Sequence, residues 1–324
     1  MLFEPLEIKG ITLRNRYVMP PMANNMGVVS GQAIAFYRER AKGGVGLVIV
    51  EATHLDRFND EHFTKGLKHL TKAVHDEGAA IAIQLYQNDI FDSEESHPTS
   101  VTRDQIDRLK KKYVRAARIA REEFFDGVEP HGAHGYFLNQ FFSSEHNRRT
   151  DEYGGSLENR MRLGLEVVEA IREGTDENTL LLYRHTPVRA GYTLDESIQF
   201  AKALEKAGVD IMDISPSTDP MGEHAGLAGT IKSHLKIPMI AVGGMENLSN
   251  AQKALSDGKC DLVAVGKNLI SDPELPKKIF EGRFDDIVAC TNCGEGCHAN
   301  LKKGVPIACT QNPNVGREYL SASS

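Results

Sequence analysis

The sequence predicts an α/β fold: one (β/α)8 TIM barrel with a short cysteine-rich segment near its C-terminus. Eight short apolar runs alternate with amphipathic stretches along the 324 residues, as expected of buried parallel strands separated by crossover helices. A chain of this length often forms a single barrel. No glycine-rich dinucleotide fingerprint follows the first run, although a doubly wound sheet would be expected to show one. We therefore predict a barrel over residues 1–285, with residues 286–324 packed on it and not forming an independent domain.

The predicted strands share a richness in Val, Ile and Leu. They are Arg16–Met19, Leu47–Glu51, Ala80–Leu85, Gly127–Glu129, Leu180–Arg184, Ile211–Ser215, Met239–Val242 and Leu262–Val265. The helices predicted to follow them are Ala33–Lys42, Thr64–Glu77, Arg103–Phe124, Leu157–Glu173, Leu194–Lys206, Gly226–His234, Leu248–Asp257 and Pro273–Glu281. Turn glycines separate the elements. Gly208, for example, can take the left-handed conformation that ends a helix.

Composition excludes several classes of protein. Hydrophobic residues make up 40% and charged residues 26%, so the chain can bury a large core and is not disordered. The net charge is -7 and the longest basic run is Lys110-Lys111-Lys112, so no nucleic-acid partner is expected. The N-terminus lacks a signal-peptide pattern, and no apolar stretch is long enough to span a membrane. We expect a cytoplasmic protein without a membrane partner.

The active site of such a barrel lies at the C-terminal ends of its strands. Polar or small residues at those positions are therefore the functional candidates. They are Ala23, Thr53, Gln84, His131, Arg184, Ser215, Gly243 and Gly266.

The segment after the fourth predicted strand contains several side chains that can exchange protons or hydrogen-bond a substrate. It places His131, His134 and Tyr136 within six positions. Two imidazoles can hydrogen-bond one carbonyl oxygen, and a phenol can donate a proton. The alternative is a histidine-rich loop whose hydrogen bonds are structural, and the segment alone does not decide between the two.

A second motif follows at Asn147–Arg160, with the sequence Asn-Arg-Arg-Thr-Asp-Glu-Tyr-Gly-Gly-Ser-Leu-Glu-Asn-Arg. With the preceding His-Gly-Ala-His-Gly-Tyr, this segment resembles the signature of the old yellow enzyme family. The resemblance extends to Met19-Pro20-Pro21-Met22-Ala23, Ala241–Gly244 and Ala264–Lys267. We expect the polar residues of the second motif to fix a loop and cap the following helix.

The resemblance implies an FMN over the barrel mouth. Pro20, Met22 and Ala23 would lie against the flavin ring, and Gln84 would hydrogen-bond its pyrimidine edge. Arg184 matches the arginine at flavin N1 and O2, although an ion pair at a strand end is its alternative interpretation. The phosphate site is matched by Gly243, Gly244, Gly266 and Lys267, where the family more often has arginine. Thr53 completes the cofactor-binding candidates.

The resemblance also implies the chemistry. A reduced flavin would transfer hydride to the β-carbon of an unsaturated carbonyl compound, whose oxygen His131 and His134 would hold. Tyr136 matches the family's proton donor to the α-carbon. His224 lies where the dienoyl-CoA reductase branch has a second acid, and a surface histidine is the alternative. The loop after Gln84-Leu85 is shorter than in the family, which predicts a more open site.

Four of the five cysteines cluster: Cys290, Cys293, Cys297 and, after eleven intervening residues, Cys309. Three close thiolates with a distant fourth suit a 4Fe–4S cluster, whereas zinc sites more often show two separated pairs. The spacing resembles the iron–sulfur branch of the family that includes 2,4-dienoyl-CoA reductase, and we favour iron–sulfur over zinc. Cys260 lies outside the pattern and is expected to be a buried apolar residue.

The leading hypothesis is an FMN-dependent ene-reductase acting on a small enoate, enoyl thioester or enone. Its electrons would come from NAD(P)H, or from a separate donor protein through the cluster, because the chain ends before the FAD and nicotinamide half that this branch usually carries. A homo-oligomer remains open. The alternatives are an amine-oxidising flavin dehydrogenase and a non-catalytic redox protein. The histidine pair argues against amine oxidation, because a carbonyl acceptor needs donors there.

Overall fold

The computed structural model describes residues 1–87, 97–216 and 224–321. Eight parallel strands form a closed barrel in which sequential strands are neighbours and the last pairs with the first. The barrel strands are β3 (Tyr17–Met19), β4 (Leu47–His54), β5 (Ala80–Tyr86), β6 (Gly127–Gly132), β7 (Leu180–His185), β8 (Ile211–Ile214), β9 (Met239–Val242) and β10 (Leu262–Ala264). The predicted (β/α)8 barrel is confirmed.

Helices surround the barrel. They are α1 (Gly31–Lys42), α2 (Glu61–His75), α3 (Arg103–Glu122), α4 (Phe137–Phe142), α5 (Leu157–Gly174), α6 (Leu194–Ala207), α7 (His224–Lys232), α8 (Leu248–Ser256), α9 (Lys267–Ser271), α10 (Leu275–Phe280), α11 (His298–Lys302) and α12 (Glu318–Ser321). Among the described helices, none combines the length and the apolar character that a membrane span requires.

Local sequence explains where these helices begin and end. Thr102 and Thr193 cap α3 and α6 in capping boxes, each with a reciprocal side chain three residues later. Gly208 ends α6 with φ of 110°, a left-handed conformation that an L-residue rarely adopts. The long helices therefore lie within three residues of their predicted limits.

The N-terminal hairpin was not predicted. Strands β1 (Leu6–Ile8) and β2 (Ile11–Leu13) pair antiparallel across a two-residue turn. Ile8 and Leu13 pack with the apolar residues that fill the barrel interior. Each strand has three residues, which is too short to show a period-two pattern. The hairpin adds apolar packing to the interior core.

The C-terminal segment contacts the barrel at several points. The Ile307 N–H donates to the Asn24 carbonyl over 2.9 Å. Arg40, fully buried in α1, pairs with Glu318 at 2.6 Å between Nη1 and Oε1. These contacts hold residues 307–318 against the barrel, while the domain boundary at residue 285 stays a prediction.

Candidate active site

The upper interior of the barrel is polar. Alternate residues of a strand point to the same face, so Gln84 on β5, Arg184 on β7 and Asp213 on β8 continue the rows of the apolar interior residues Ala82, Leu182 and Ile211. Glu129 on β6 pairs in register with Gln84. We call Gln84, Glu129, Arg184 and Asp213 the polar layer. All four side chains are buried.

Arg184 is the only cation in the polar layer. Its Nη2 donates to Ser215 Oγ over 2.9 Å, and its Nη1 lies 3.4 Å from Asp213 Oδ2. Its Nε and Nη1 have no hydrogen-bond partner in the described part of the chain. Buried guanidinium N–H groups are rarely left without an acceptor, so Arg184 retains donors for a bound molecule.

Ser215 connects Arg184 to His134. Its hydroxyl lies 3.0 Å from His134 Nε2. A serine hydroxyl can donate one hydrogen bond and accept two, so Ser215 can hold both Arg184 and either neutral tautomer of His134. His134 has φ of 58°, and such left-handed conformations in residues other than glycine are concentrated at functional sites.

The two imidazoles and the phenol lie together. The rings of His131 and His134 are 5.3 Å apart between centroids, and the ring of Tyr136 is 4.3 Å from that of His131. Tyr86 packs edge-on against Tyr136 at 5.6 Å. His131 Nδ1 is buried and has no partner among the described residues. The structure thus brings the three predicted catalytic side chains into one cluster.

Both histidines are neutral at pH 7. Burial, followed by the charge of Arg184, lowers the pKa of His131 well below its usual value. The same two causes lower the pKa of His134 to about 4. A neutral imidazole has one N–H donor and one acceptor nitrogen. The pair can therefore donate hydrogen bonds without carrying positive charge.

Glycines shape the mouth where β9 and β10 end. Gly243 and Gly244 have φ of 101° and 72°, which favours glycine over other residues. A Cβ on Gly266 would lie 3.0 Å from Met22 Sδ. This close approach leaves little room for a side chain at Gly266 and places Met22 beside it.

The other predicted cofactor-binding residues differ in their surroundings. Pro20 is buried, and Ala23 is exposed near the end of β3. Thr53 is buried, and its hydroxyl donates to the Glu51 carbonyl over 2.9 Å. The amide of Gln84 donates to Glu129 Oε1 over 2.7 Å. Lys267 Nζ contacts Asn292 Oδ1 of the cysteine-rich segment.

The polar residues of the second motif have structural contacts. Asn147 Nδ2 donates to the carbonyls of Phe141 and Tyr153, each over 2.7 Å. Arg160 Nη1 donates to the Phe142 carbonyl over 2.6 Å, and Ser156 caps α5. These bonds confirm the prediction that the motif fixes a loop and caps the next helix, close to the histidine segment.

All four clustered cysteines line one cavity of about 160 Å³, and Lys267 lies on its wall. The Asn292 N–H donates to Cys290 Sγ over 3.4 Å, and Thr310 Oγ1 lies 3.3 Å from Cys293 Sγ. Within the described ranges, no three His, Cys, Asp or Glu side chains are grouped so that they could hold a metal ion. The four thiols therefore surround a shared space without forming a ready-made ion site.

A glycine allows Cys309 to approach the other three cysteines. The Ala308 N–H donates to the Gly296 carbonyl over 2.9 Å. A Cβ on Gly296 would lie 2.4 Å from the Ala308 carbonyl oxygen. Cys260, by contrast, is buried elsewhere, and burial raises the pKa of its thiol to about 12.

Some predicted features cannot be placed. His224 is the first residue of α7, and its side chain lies outside the described part of the chain. Most of the shortened loop after Gln84-Leu85 falls in residues 88–96, which are also outside the described part of the chain.

Glu129 and Asp213 were not singled out as site residues in the sequence analysis. A signal was present for Asp213, which is an acidic residue inside the apolar strand β8, whereas Glu129 lies in the mixed sequence Gly-Val-Glu-Pro-His-Gly of β6.

Comparisons with known proteins agree on one group. A family model described as "NADH:flavin oxidoreductase / NADH oxidase family" matches residues 1–101 and 86–286. The "NADH oxidase" of Thermoanaerobacter brockii is 37% identical over 98% of this chain and 56% of its own length. The "Cinnamate reductase" of Clostridium sporogenes is 33% identical over 98% of this chain and 58% of its own length.

Solved structures give the same picture. A 2-naphthoyl-CoA reductase in complex with 2-naphthoyl-CoA has a TM-score of 0.91 and 27% identity, over 100% of this chain and 58% of its own. Histamine dehydrogenase from Rhizobium sp. 4-9 has a TM-score of 0.89 and 28% identity, over 98% of this chain and 53% of its own. This chain spans little more than half the length of these four proteins.

Proposed function

Because the chain belongs to the NADH:flavin oxidoreductase / NADH oxidase family, we propose that it is an FMN-dependent ene-reductase. Its substrate would be a small α,β-unsaturated carbonyl compound: an enoate, an enoyl thioester or an enone. The observation that carries the proposal is the cluster of two neutral imidazoles beside a tyrosine at the barrel mouth. Neutral N–H donors suit a carbonyl oxygen on which negative charge develops.

The residues at the mouth fit FMN. Arg184 has N–H groups without a partner in the described chain, and these suit the acceptor atoms at flavin N1 and O2. Its fixed charge would stabilise a reduced, anionic ring. Gly243, Gly244 and Gly266, with Lys267, would hold the phosphate through unhindered N–H groups and a positive charge. Pro20, Met22, Ala23, Thr53 and Gln84 complete the proposed cofactor site.

FMN, when bound, would supply the hydride for the β-carbon of the substrate. His131 and His134 would hold the substrate's carbonyl oxygen through their ring N–H groups. Tyr136 would give a proton to the α-carbon, so one hydride and one proton saturate the C=C bond. From the family resemblance, we also propose His224 as a second proton donor.

We also propose a 4Fe–4S cluster on Cys290, Cys293, Cys297 and Cys309. Support comes from their shared cavity and from the hydrogen bonds to the sulfurs of Cys290 and Cys293. Hydrogen bonds to sulfur stabilise thiolate ligands and tune a cluster.

NAD(P)H is the reductant we propose, in keeping with the family description. A separate protein that passes electrons through the cluster is the second source. Both proposals predict that the cluster and the flavin can be reduced in one protein.

Iron and sulfide content tests the proposed cluster. Iron and acid-labile sulfide should be present in about a four-to-four ratio. Cys297→Ser should abolish this content, and Cys260→Ala is the matched control that should retain it.

Anaerobic half-reactions test the reductase proposal. Protein reduced by NAD(P)H should be reoxidised by an enone, an enoate such as cinnamate, or an enoyl thioester. Flavin absorbance recorded by stopped flow follows this step. Rapid bleaching by an amine, with no reoxidation by any of the three unsaturated compounds, would contradict the proposal.

The second candidate is an amine-oxidising dehydrogenase, favoured by the similarity to histamine dehydrogenase. The site argues against it, because His131 and His134 present neutral donors beside Arg184. The fixed positive charge of Arg184 would repel a cationic amine, and the carboxyl groups of Glu129 and Asp213 that could attract one are fully buried in the polar layer.

A further inference from the structure

The polar layer contains two acids and one cation. Glu129 and Asp213 are both fully buried, on strands that flank β7 and its Arg184. Two other side chains influence the pKa of these carboxyls, namely Gln84 from β5 and Arg184 from β7. The two carboxyls also influence each other. If both acids were ionised, this buried group would carry one net negative charge.

Too few donors reach the carboxyl oxygens. Gln84 satisfies Glu129 Oε1, and Arg184 Nη1 lies 3.4 Å from Asp213 Oδ2, outside good hydrogen-bond geometry. Glu129 Oε2 and both oxygens of Asp213 lack a hydrogen-bond donor among the described residues. The two carboxyls lie within hydrogen-bond reach of each other. Two ionised carboxylates cannot hydrogen-bond to each other because neither has a proton to donate, whereas a protonated carboxyl can donate to a carboxylate.

We propose that Glu129 and Asp213 share one proton, so that the buried group of two carboxyls and Arg184 is neutral overall. The proton supplies the missing donor between the two carboxyls. It also removes the repulsion that two buried carboxylates would otherwise exert on each other. Burial raises the pKa of both Glu129 and Asp213, in agreement with this arrangement.

The shared proton has a consequence for Arg184. With one carboxylate in the layer, the guanidinium is balanced and its free N–H groups remain directed to a bound molecule. With two carboxylates, the layer would present net negative charge under the proposed flavin and oppose its reduction to an anion. Glu129 and Asp213 are therefore positioning residues. This consequence rests on the proposed FMN, whereas the shared proton does not.

Infrared spectroscopy of the protein as purified tests the shared proton. A protonated carboxyl has a C=O stretch distinct from that of a carboxylate, and carboxyl-13C labelling of Glu and Asp separates it from flavin carbonyls. The infrared band of protonated Glu51 must be distinguished from that of the Glu129–Asp213 pair, because burial raises the Glu51 pKa to about 7. Spectra at about pH 8.5 deplete the Glu51 acid form, and Glu51→Gln is the control that removes it entirely.

We expect a label-sensitive acid band at that pH in the wild-type and Glu51→Gln proteins. Glu129→Gln and Asp213→Asn should each abolish it, because either change leaves a single carboxyl to pair with Arg184. Absence of the band from Glu51→Gln, or its survival in either of the other variants, would overturn the proposal. If those two variants do not fold, the presence or absence of the band in labelled Glu51→Gln protein still decides.

The midpoint potential of the bound flavin tests the charge balance separately. Glu129→Gln keeps one cation and one carboxylate, so the potential should stay near the wild-type value. Combining it with Asp213→Asn leaves Arg184 unbalanced and should raise the potential. An unchanged potential in the double variant would overturn the link to the flavin. A protein without flavin would instead contradict the proposed function and leave the infrared result standing.

Discussion

The barrel mouth and the cysteine-rich segment are built in different ways. At the mouth, Gln84, Glu129, Arg184 and Asp213 project from neighbouring strands whose register is fixed by backbone hydrogen bonds. The four clustered cysteines lie on loops, and Cys293 is exposed. Their common cavity depends on turns and on the close approach at Gly296.

The two sites therefore differ in how much they depend on a bound cofactor for their order. Side chains on packed strands are held in place by the core, whereas loop residues with few buried contacts open more easily. We therefore expect the mouth to keep its geometry without FMN. The cysteine segment should gain much of its order from the metal it binds, as small metal sites do.

The largest effect is expected from Tyr136→Phe at the mouth. Loss of the proton donor should slow oxidation of the reduced protein by substrate about 10²- to 10⁴-fold, as for other general acids. Reduction by NAD(P)H should be unaffected, because the phenol has no part in it. Stopped-flow measurement of both half-reactions checks this, with the exposed Tyr319→Phe as control. Equal oxidation rates in Tyr136→Phe and wild-type protein would remove Tyr136 from the mechanism.

The next largest effect concerns the contact between the barrel and the cysteine-rich segment. Glu51 Oε2 accepts from the Asn24 N–H over 2.8 Å, and Asn24 in turn accepts from Ile307 of the cysteine-rich segment. Burial raises the Glu51 pKa from 4.5 to about 7. The folded state therefore holds the proton more tightly than the unfolded state, and stability falls as pH rises between these values.

Denaturation of wild-type and Glu51→Gln protein measures this contribution. Relative to the variant, the wild-type free energy of unfolding should drop by about 3 kcal/mol between pH 4.5 and pH 7. Parallel curves for the two proteins would show that Glu51 titrates normally.

Gly296→Ala should separate the two regions. The new Cβ would lie 2.4 Å from the Ala308 carbonyl oxygen, so the backbone must move and Cys309 should retreat from the cavity. We expect a cost of about 1–3 kcal/mol, typical of overpacking, and a severalfold loss of bound iron with FMN content unchanged. Gly31→Ala is the matched control, because a Cβ there meets no atom of the described residues within 4 Å. Full iron content in Gly296→Ala would show that the segment tolerates the shift.

The smallest effect is expected from Lys267→Gln. This half-buried ammonium would lose its contact with Asn292 and its attraction for the FMN phosphate. A partly exposed charge pair contributes about 0.2–1 kcal/mol, so FMN should bind about two- to fivefold more weakly. Fluorescence titration at low and high salt checks this, because screening should shrink the difference. A larger loss that salt does not affect would indicate a structural role for Lys267.

Much of the fold could be predicted because strand and helix periods are strong signals. The strand Met239–Val242 matches its prediction, and the family resemblance carried by Asn147–Arg160 is confirmed. The hairpin at Leu6–Leu13 was missed, since three-residue strands show no period. The polar layer was only partly predicted. Glu129 and Asp213 act through partners on other strands, and the local sequence does not reveal such partners.

Flavin content is the most direct test of whether the barrel mouth binds FMN. Purified protein should be yellow, or become so after incubation with riboflavin phosphate, and should bind one FMN per chain. Substituting Arg184 by Met should weaken this binding about tenfold or more, as expected for lost charge-assisted hydrogen bonds. Protein that stays colourless after the incubation would contradict the proposal that the barrel mouth is a flavin site.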